Sequence, residues 1–229
     1  MTRTAGQVEI TDGAISYLIS FATGTSDLSA EWNPVANTGS RIGAALTNGW
    51  WRAWAARASD GRQAIVFVAV GSTPSVSGWA FRALPRVVFV AGSALVNFES
   101  AGNYFKFAAP QLCFSGDASS ASNGALYNLV APALPLLAQL SVYSGTRNWN
   151  SGRAVAGGSP GSDLTAVVNP TDAECWFYTF ASSSGDYLWY SHVHPWVYSE
   201  SAQFRLKTVS SWSTDFAAPE YLIVGFQLL

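Results

Sequence analysis

The run WWRAWAARASDGRQAIVFVAV, residues 50–70, is laid out as a β-hairpin almost residue by residue. Asp60-Gly61 sits between two strand-like segments, and an Asp-Gly pair in that setting supplies the positive φ angles of a two-residue primed turn, which fixes the register of the hairpin it closes. With Ser59 facing Arg62, one face carries Ala56 opposite Ile65, Trp54 opposite Phe67 and Arg52 opposite Ala69. The other carries Ala55 opposite Val66, Ala53 opposite Val68 and Trp51 opposite Val70. Neither face is polar. A hairpin on the outside of a monomer alternates apolar with polar residues, so two apolar faces predict cover by more sheet, by another domain or by another subunit.

Composition points the same way. Of the 229 residues, 49% are apolar and only 11% charged, where an ordinary soluble domain has about 25% charged residues. Charge is depleted and aromatic side chains are enriched at the centres of protein interfaces, and this chain has 10 Trp, 13 Phe and 9 Tyr. Homo-oligomerisation is the expectation, with Trp50, Trp51, Trp54 and Phe67 as its interface residues. A net charge of -2 provides no basic stripe for a nucleic-acid backbone, so direct nucleic-acid binding is not expected. The start, MTRTAGQVEITDG, lacks the apolar core of a signal peptide, and the apolar run at 129–140 is too short and proline-rich to span a bilayer. The expectation is a chain made in a cytoplasm without a membrane span. Its two cysteines, Cys113 and Cys175, read as separate buried thiols rather than a disulfide.

Outward from the hairpin, residues 8–22 read as a strand, a turn at Asp12-Gly13 and a second strand. Residues 23–48 form a long polar loop pinned by Trp32 and Pro34, with one helical turn near Arg41 to Leu46. Residues 79–100 give a further hairpin about Gly92-Ser93, and 102–116 give two strands that part at Ala109-Pro110, the proline marking an edge or bend. The segment 125–145 alone has a helical flavour, broken by Pro132 and Pro135 into an irregular apolar plug. Residues 146–170 read as an exposed loop with one strand. AECWFYTFASSSGDYLWYSHVHPWVY, 173–198, gives a second aromatic hairpin about Ser184-Gly185, and strands follow near FRLKTV and EYLIVGFQLL. The expected fold is all-β, an antiparallel β-sandwich or jelly-roll-like domain with long Gly/Ser-rich loops. It reads as one domain over 1–229, with a division into two weakly similar halves near 117–124.

Chemistry is thinly marked. His192 and His194, at i and i+2 on a strand, point to one face as two metal ligands must, but no Cys or carboxylate on that strand completes a tetrahedral set. The plainer reading is an aromatic strand end closed by Pro195, with no metal and no cofactor. GGSPG, 157–161, has the letters of a nucleophile elbow around Ser159, yet lacks the strand before it and helix after it that the elbow needs. The fourteen carboxylates are scattered singly through turns, with no marked pair for glycoside hydrolysis. No enzyme activity is expected. Trp149, Trp196 and Trp212 could stack on sugar rings as a binding function.

The all-β texture, the Gly/Ser/Asn-rich loops, the low charge, the predominance of Arg over Lys and the lack of a signal sequence resemble a structural protein of a tailed-bacteriophage virion. The HVH triplet at 192–194 is also similar to the His-x-His motif with which some trimeric phage spikes and fibres bind a metal on their axis. The resemblance implies a non-enzymatic subunit of the tail, baseplate or fibre-attachment region, assembled in the host cytoplasm and partnered by its own copies and other virion proteins. Two alternatives stand beside it. One is a lectin-like receptor-recognition module for a host-surface glycan, the other a capsid decoration protein.

Overall fold

The computed structural model describes residues 2–3, 6–11, 16–21, 24–43, 45–92, 94–96, 98–116, 118, 120–143, 153–168, 172–181, 187–191, 196–209 and 220–229. The fold is all-β, built from antiparallel sheets, with no α-helix among the described residues. Consequently no helix among them is long and apolar enough to cross a membrane. The chain divides into two compact units, Met1–Val96 and Asn97–Leu229. The boundary falls ahead of the polar stretch 117–124, which belongs to the second unit.

In the first unit, β1 (Thr2–Arg3) pairs with β4 (Gly24–Thr25), and β2 (Gly6–Thr11) pairs with β3 (Ser16–Phe21). The expected Asp12-Gly13 turn lies outside the described residues. The main sheet has the order β6-β5-β7-β8, with β5 Gly49–Ala58, β6 Gln63–Ala69, β7 Trp79–Ala91 and β8 Ala94–Leu95. The central hairpin is therefore present, but its register differs by one residue from the sequence expectation. Trp54 faces Val66, Ala53 faces Phe67 and Trp51 faces Ala69, so Trp54 and Phe67 lie on opposite faces. The cause is the turn. Ala58 N–H donates to the Arg62 carbonyl and Gly61 N–H to the Ala58 carbonyl, which makes a three-residue loop, Ser59-Asp60-Gly61. Only Gly61 (φ 91°) has positive φ there, whereas a primed two-residue turn needs positive φ at Asp60 as well. One extra loop residue moves every partner by one position and exchanges the faces of one strand relative to the other.

Both faces of this sheet are apolar, and segments of the same unit pack on each. One face holds Trp51, Ala53, Phe67, Val88 and Val90 under Leu28 and Leu46. The other holds Ala56 and Val66 with Trp32, Ile42, Trp54 and Trp79. The loop 26–48 reaches both because it wraps the free edge of β6. Phe67 N–H donates to the Ser40 carbonyl and Ile42 N–H to the Phe67 carbonyl, a short parallel pairing that replaces the expected helical turn. Trp32 anchors the loop, its ring edge-on to Trp79 at 4.7 Å and its Nε1 donating to Asn37 Oδ1. Arg62, ion-paired with Asp60, donates to the carbonyls of Pro34 and Val35.

The second unit stacks two five-stranded sheets in a sandwich-like arrangement. One has the order β16-β12-β18-β10-β9, from β9 Phe98–Ala101, β10 Tyr104–Ser115, β12 Leu136–Tyr143, β16 Trp196–Ser199 and β18 Glu220–Leu228. The other has the order β11-β17-β13-β14-β15, from β11 Ala125–Asn128, β13 Arg153–Gly158, β14 Cys175–Ala181, β15 Tyr187–Ser191 and β17 Gln203–Thr208. Between them lie Leu136, Leu140, Ile223, Phe226, Val155, Phe177, Phe204 and Leu206, all at most 2% exposed. The aromatic contacts Phe177–Tyr221 and Phe114–Tyr127 cross from sheet to sheet.

Several segments depart from their sequence reading. The apolar segment after Pro135 is a central strand, β12, not part of a plug, because alternate residues Leu136, Ala138, Leu140 and Val142 are buried on one face. Residues 104–115 form one strand rather than two. Pro110 falls where the pairing of β10 with β18 is irregular, between Lys106 and Gln111, so its missing N–H interrupts no regular ladder. The strand expected inside an exposed loop, β13, is central in its sheet, and the segment after it is fastened down rather than free. Leu164 and Val167 cover Ala156 and Trp176 on the outer face of that sheet. Arg205 Nη2 donates to the Pro160 carbonyl and Lys207 Nζ to the carbonyls of Leu164 and Thr165. The apolar C-terminal strand, β18, has neighbours on both sides, which is the cover its composition demands. The turn expected at Ser184-Gly185 lies outside the described residues.

Candidate functional site: the outer face of the C-terminal sheet

The face of the β16-β12-β18-β10-β9 sheet turned away from the sandwich core carries two rows of side chains, each running across all five strands. The pairings Trp196–Gln139, Gln139–Gly225, Gly225–Lys106 and Lys106–Glu99 define the first row. Tyr198–Leu137, Leu137–Gln227, Gln227–Tyr104 and Tyr104–Ala101 define the second. Trp196, Tyr198, Leu137, Gln139, Gln227 and Tyr104 are half-buried, whereas the residues between them, Val197, Ala138, Phe226 and Phe105, are fully buried. This is the period-2 alternation of a sheet with one face in the core.

Gly225 gives this face its relief. A Cβ there would stand 2.4 Å from the Phe105 carbonyl and 3.0 Å from Tyr104 Oη, so only glycine lets the Tyr104 side chain reach over β18. Tyr104 Oη then donates to Gln139 Oε1 at 2.9 Å, and the Tyr104 ring meets Trp196 edge-on at 6.0 Å. Two aromatic rings and an amide are thereby locked together over a residue with no side chain. The Tyr198 hydroxyl donates to the Glu200 carboxylate, which pushes the Tyr198 hydroxyl pKa upward.

At one end of the sandwich, Glu174 collects polar groups from both sheets. Its Oε1 accepts from Ser159 N–H at 2.9 Å and from the hydroxyls of Ser159 and Ser162 at 2.6 Å each. Its Oε2 accepts from Ser159 Oγ at 2.7 Å and from Tyr198 N–H at 3.3 Å. Burial alone would raise its pKa, but these hydrogen bonds outweigh burial and hold the carboxyl below its ordinary value. Ser159 is thus the first residue of a carboxylate-clamped turn after β13, closed by Ser162 N–H on the Ser159 carbonyl. Its hydroxyl donates to a carboxylate whose lowered pKa makes it a weak base for activating a nucleophile.

Of the residues singled out from sequence, Trp196 lies on the outer face just described. His192, His194, Trp149 and Trp212 lie outside the described residues. Trp51 and Phe67, expected at an assembly interface, are 3% and 1% exposed and belong to the core of the first unit. Packing under Leu28 and Leu46 removes them from any surface. Trp50 and Trp54 are half-buried, Trp50 against Phe89 with ring centroids 4.8 Å apart. Cys113 and Cys175 are free thiols, both with pKa values pushed up chiefly by burial. No cluster of three metal-ligating side chains occurs among the described residues. Sequence reasoning missed Tyr104, Gln139, Gly225 and Glu174, whose partners are brought together by pairing between strands far apart in the chain. No family model, curated protein or solved structure matches this chain.

Proposed function

We propose that this chain is a non-enzymatic structural subunit of a tailed-bacteriophage virion, placed in the tail, baseplate or fibre-attachment region and acting through assembly with its own copies and other virion proteins. The observation that carries the reading is where the polar chemistry goes. Arg52, Arg62, Arg205 and Lys207 donate to main-chain carbonyls of their own unit, and Glu174 is occupied by Ser159, Ser162 and Tyr198. These groups fasten loops to sheets. Meanwhile large apolar side chains stand exposed at Val35, Leu95, Leu112, Leu126 and Val168, on a chain with few charges to keep neighbouring copies apart. Leu112 lies on the part of β10 that extends beyond its pairing with β9, where a neighbouring chain can add to the sheet.

Quantitative mass spectrometry of purified phage particles encoding this chain tests the proposal. The expected result is the chain in a fixed copy number per particle. Its absence from particles, with recovery only from the infected-cell lysate, would sink it.

A further inference from the structure

We propose that the outer face from Trp196 through Gln139 to Tyr104 and Gln227 binds a neutral carbohydrate. The inference does not depend on the assembly reading.

The chemistry of the two rows selects the ligand. Sugar rings present an apolar C–H face and a rim of hydroxyls, and they are recognised by aromatic rings together with amides that both donate and accept. Trp196, Tyr198 and Tyr104 supply half-buried rings. The Gln139 amide oxygen is engaged by Tyr104 Oη, which leaves the amide N–H groups as donors with no partner among the described residues. The Gln227 amide has none there for either donor or acceptor. Across β16, β12, β18 and β10 the surface extends over three inter-strand spacings, about 14 Å, which accommodates more than one ring.

Charge decides against other ligands. Trp196, Tyr198, Leu137, Gln139, Gln227 and Tyr104 include no Asp, Glu, Lys, Arg or His. The charges nearest these side chains are the Glu200 carboxylate, which accepts from the Tyr198 hydroxyl, and the pair Lys106 and Glu99, which oppose each other on neighbouring strands. One lysine set against two carboxylates disfavours a phosphate backbone or a sialylated or sulfated glycan. The surface is also preorganised. Gly225 permits the Tyr104–Gln139 bond that fixes the ring and the amide before any ligand arrives, so little side-chain entropy is lost on binding.

The test applies an array of neutral hexose and N-acetylhexosamine oligosaccharides, with sialylated and sulfated counterparts, to the full chain. Binding to at least one neutral oligosaccharide is expected. Trp196→Ala and Gln227→Ala each weaken it by about tenfold or more, the effect of losing a principal contact. Trp50→Ala, in the first unit, leaves it unchanged. Gln227→Ala removes only a half-buried amide and decides the matter if Trp196→Ala fails to fold. No neutral glycan bound, a preference for the charged counterparts, or binding indifferent to Gln227→Ala overturns the inference. Native mass measured on the same samples separates the two proposals. A wild type that assembles but binds no glycan loses the platform alone, and one that binds glycan as a monomer loses the assembly reading alone. A Trp196→Ala variant that folds but no longer self-associates makes this face a contact between copies and overturns the platform.

Discussion

Replacing Glu174 by Gln removes one charge and one acceptor from the point where the 159–173 segment and both sheets of the second unit meet. In the wild type, Ser159 N–H and the hydroxyls of Ser159 and Ser162 converge on Oε1, while Tyr198 N–H and Ser159 Oγ use Oε2. A glutamine keeps one oxygen and must turn its NH2 group toward donors on the other side, so a donor there loses its acceptor at about 1–3 kcal/mol. The remaining bonds lose their charge assistance. Because Glu174 is only half-buried and water replaces part of what is lost, the expected cost is at the lower end, about 1–2 kcal/mol at pH 7. The pH dependence carries a definite sign. The folded-state pKa lies below the ordinary 4.5, so the wild-type advantage is fully present above that value and is lost as pH falls through the lowered folded pKa. Glutamine does not titrate. Urea unfolding of wild type and Glu174→Gln, followed as the midpoint at constant m-value, should show a gap at pH 7 that closes in acid. Equal stability at pH 7, or a gap unchanged well below pH 4.5, refutes the argument that the carboxylate holds this end together.

Other changes have graded expectations. Gly61→Ala meets no atom within 4 Å and should cost only the positive-φ penalty, about 1–2 kcal/mol, whereas a Cβ on Gly39 (φ 75°) would lie 2.2 Å from the Glu31 carbonyl, so Gly39→Ala should cost distinctly more in thermal melts. Gly225→Ala should also destabilise, through its clash with the Phe105 carbonyl, by about 1–3 kcal/mol. Phe67→Ala should cost about 3–5 kcal/mol by denaturant titration, and a double-mutant cycle with Trp54 should give a coupling near zero because the two lie on opposite faces. Cys175, fully buried with its thiol pKa raised, should resist alkylation at neutral pH until denaturant is added, and native-state labelling of Cys175 would contradict its place in the core.

The all-β class and most of the strands were legible from alternation and turn residues, because both are properties of neighbouring positions. The central hairpin shows where such reading stops. Asp60-Gly61 marks the turn, but the dipeptide fits both a two-residue primed turn and the last two positions of a three-residue loop, and a single residue decides which side chains share a face. The cover over both faces of that hairpin was correctly demanded by Trp51, Val66 and Phe67. Its source, the 26–48 loop folding around the edge of β6, could not be read, since the loop's polar residues give no periodic signal. Pro132 and Pro135 obscured β12 by breaking the run just before it. The outer-face site was legible only as a lone tryptophan. Tyr104, Gln139 and Gly225 join Trp196 through pairings between strands far apart in sequence, as in Tyr104 with Gln227, 123 residues away, and sequence alone does not choose those partners.

Assembly is tested most directly by the native mass of the purified 229-residue chain, measured by light scattering at micromolar concentration. A discrete species at two or more times 24.4 kDa is expected. A monodisperse, soluble species of 24.4 kDa would contradict it.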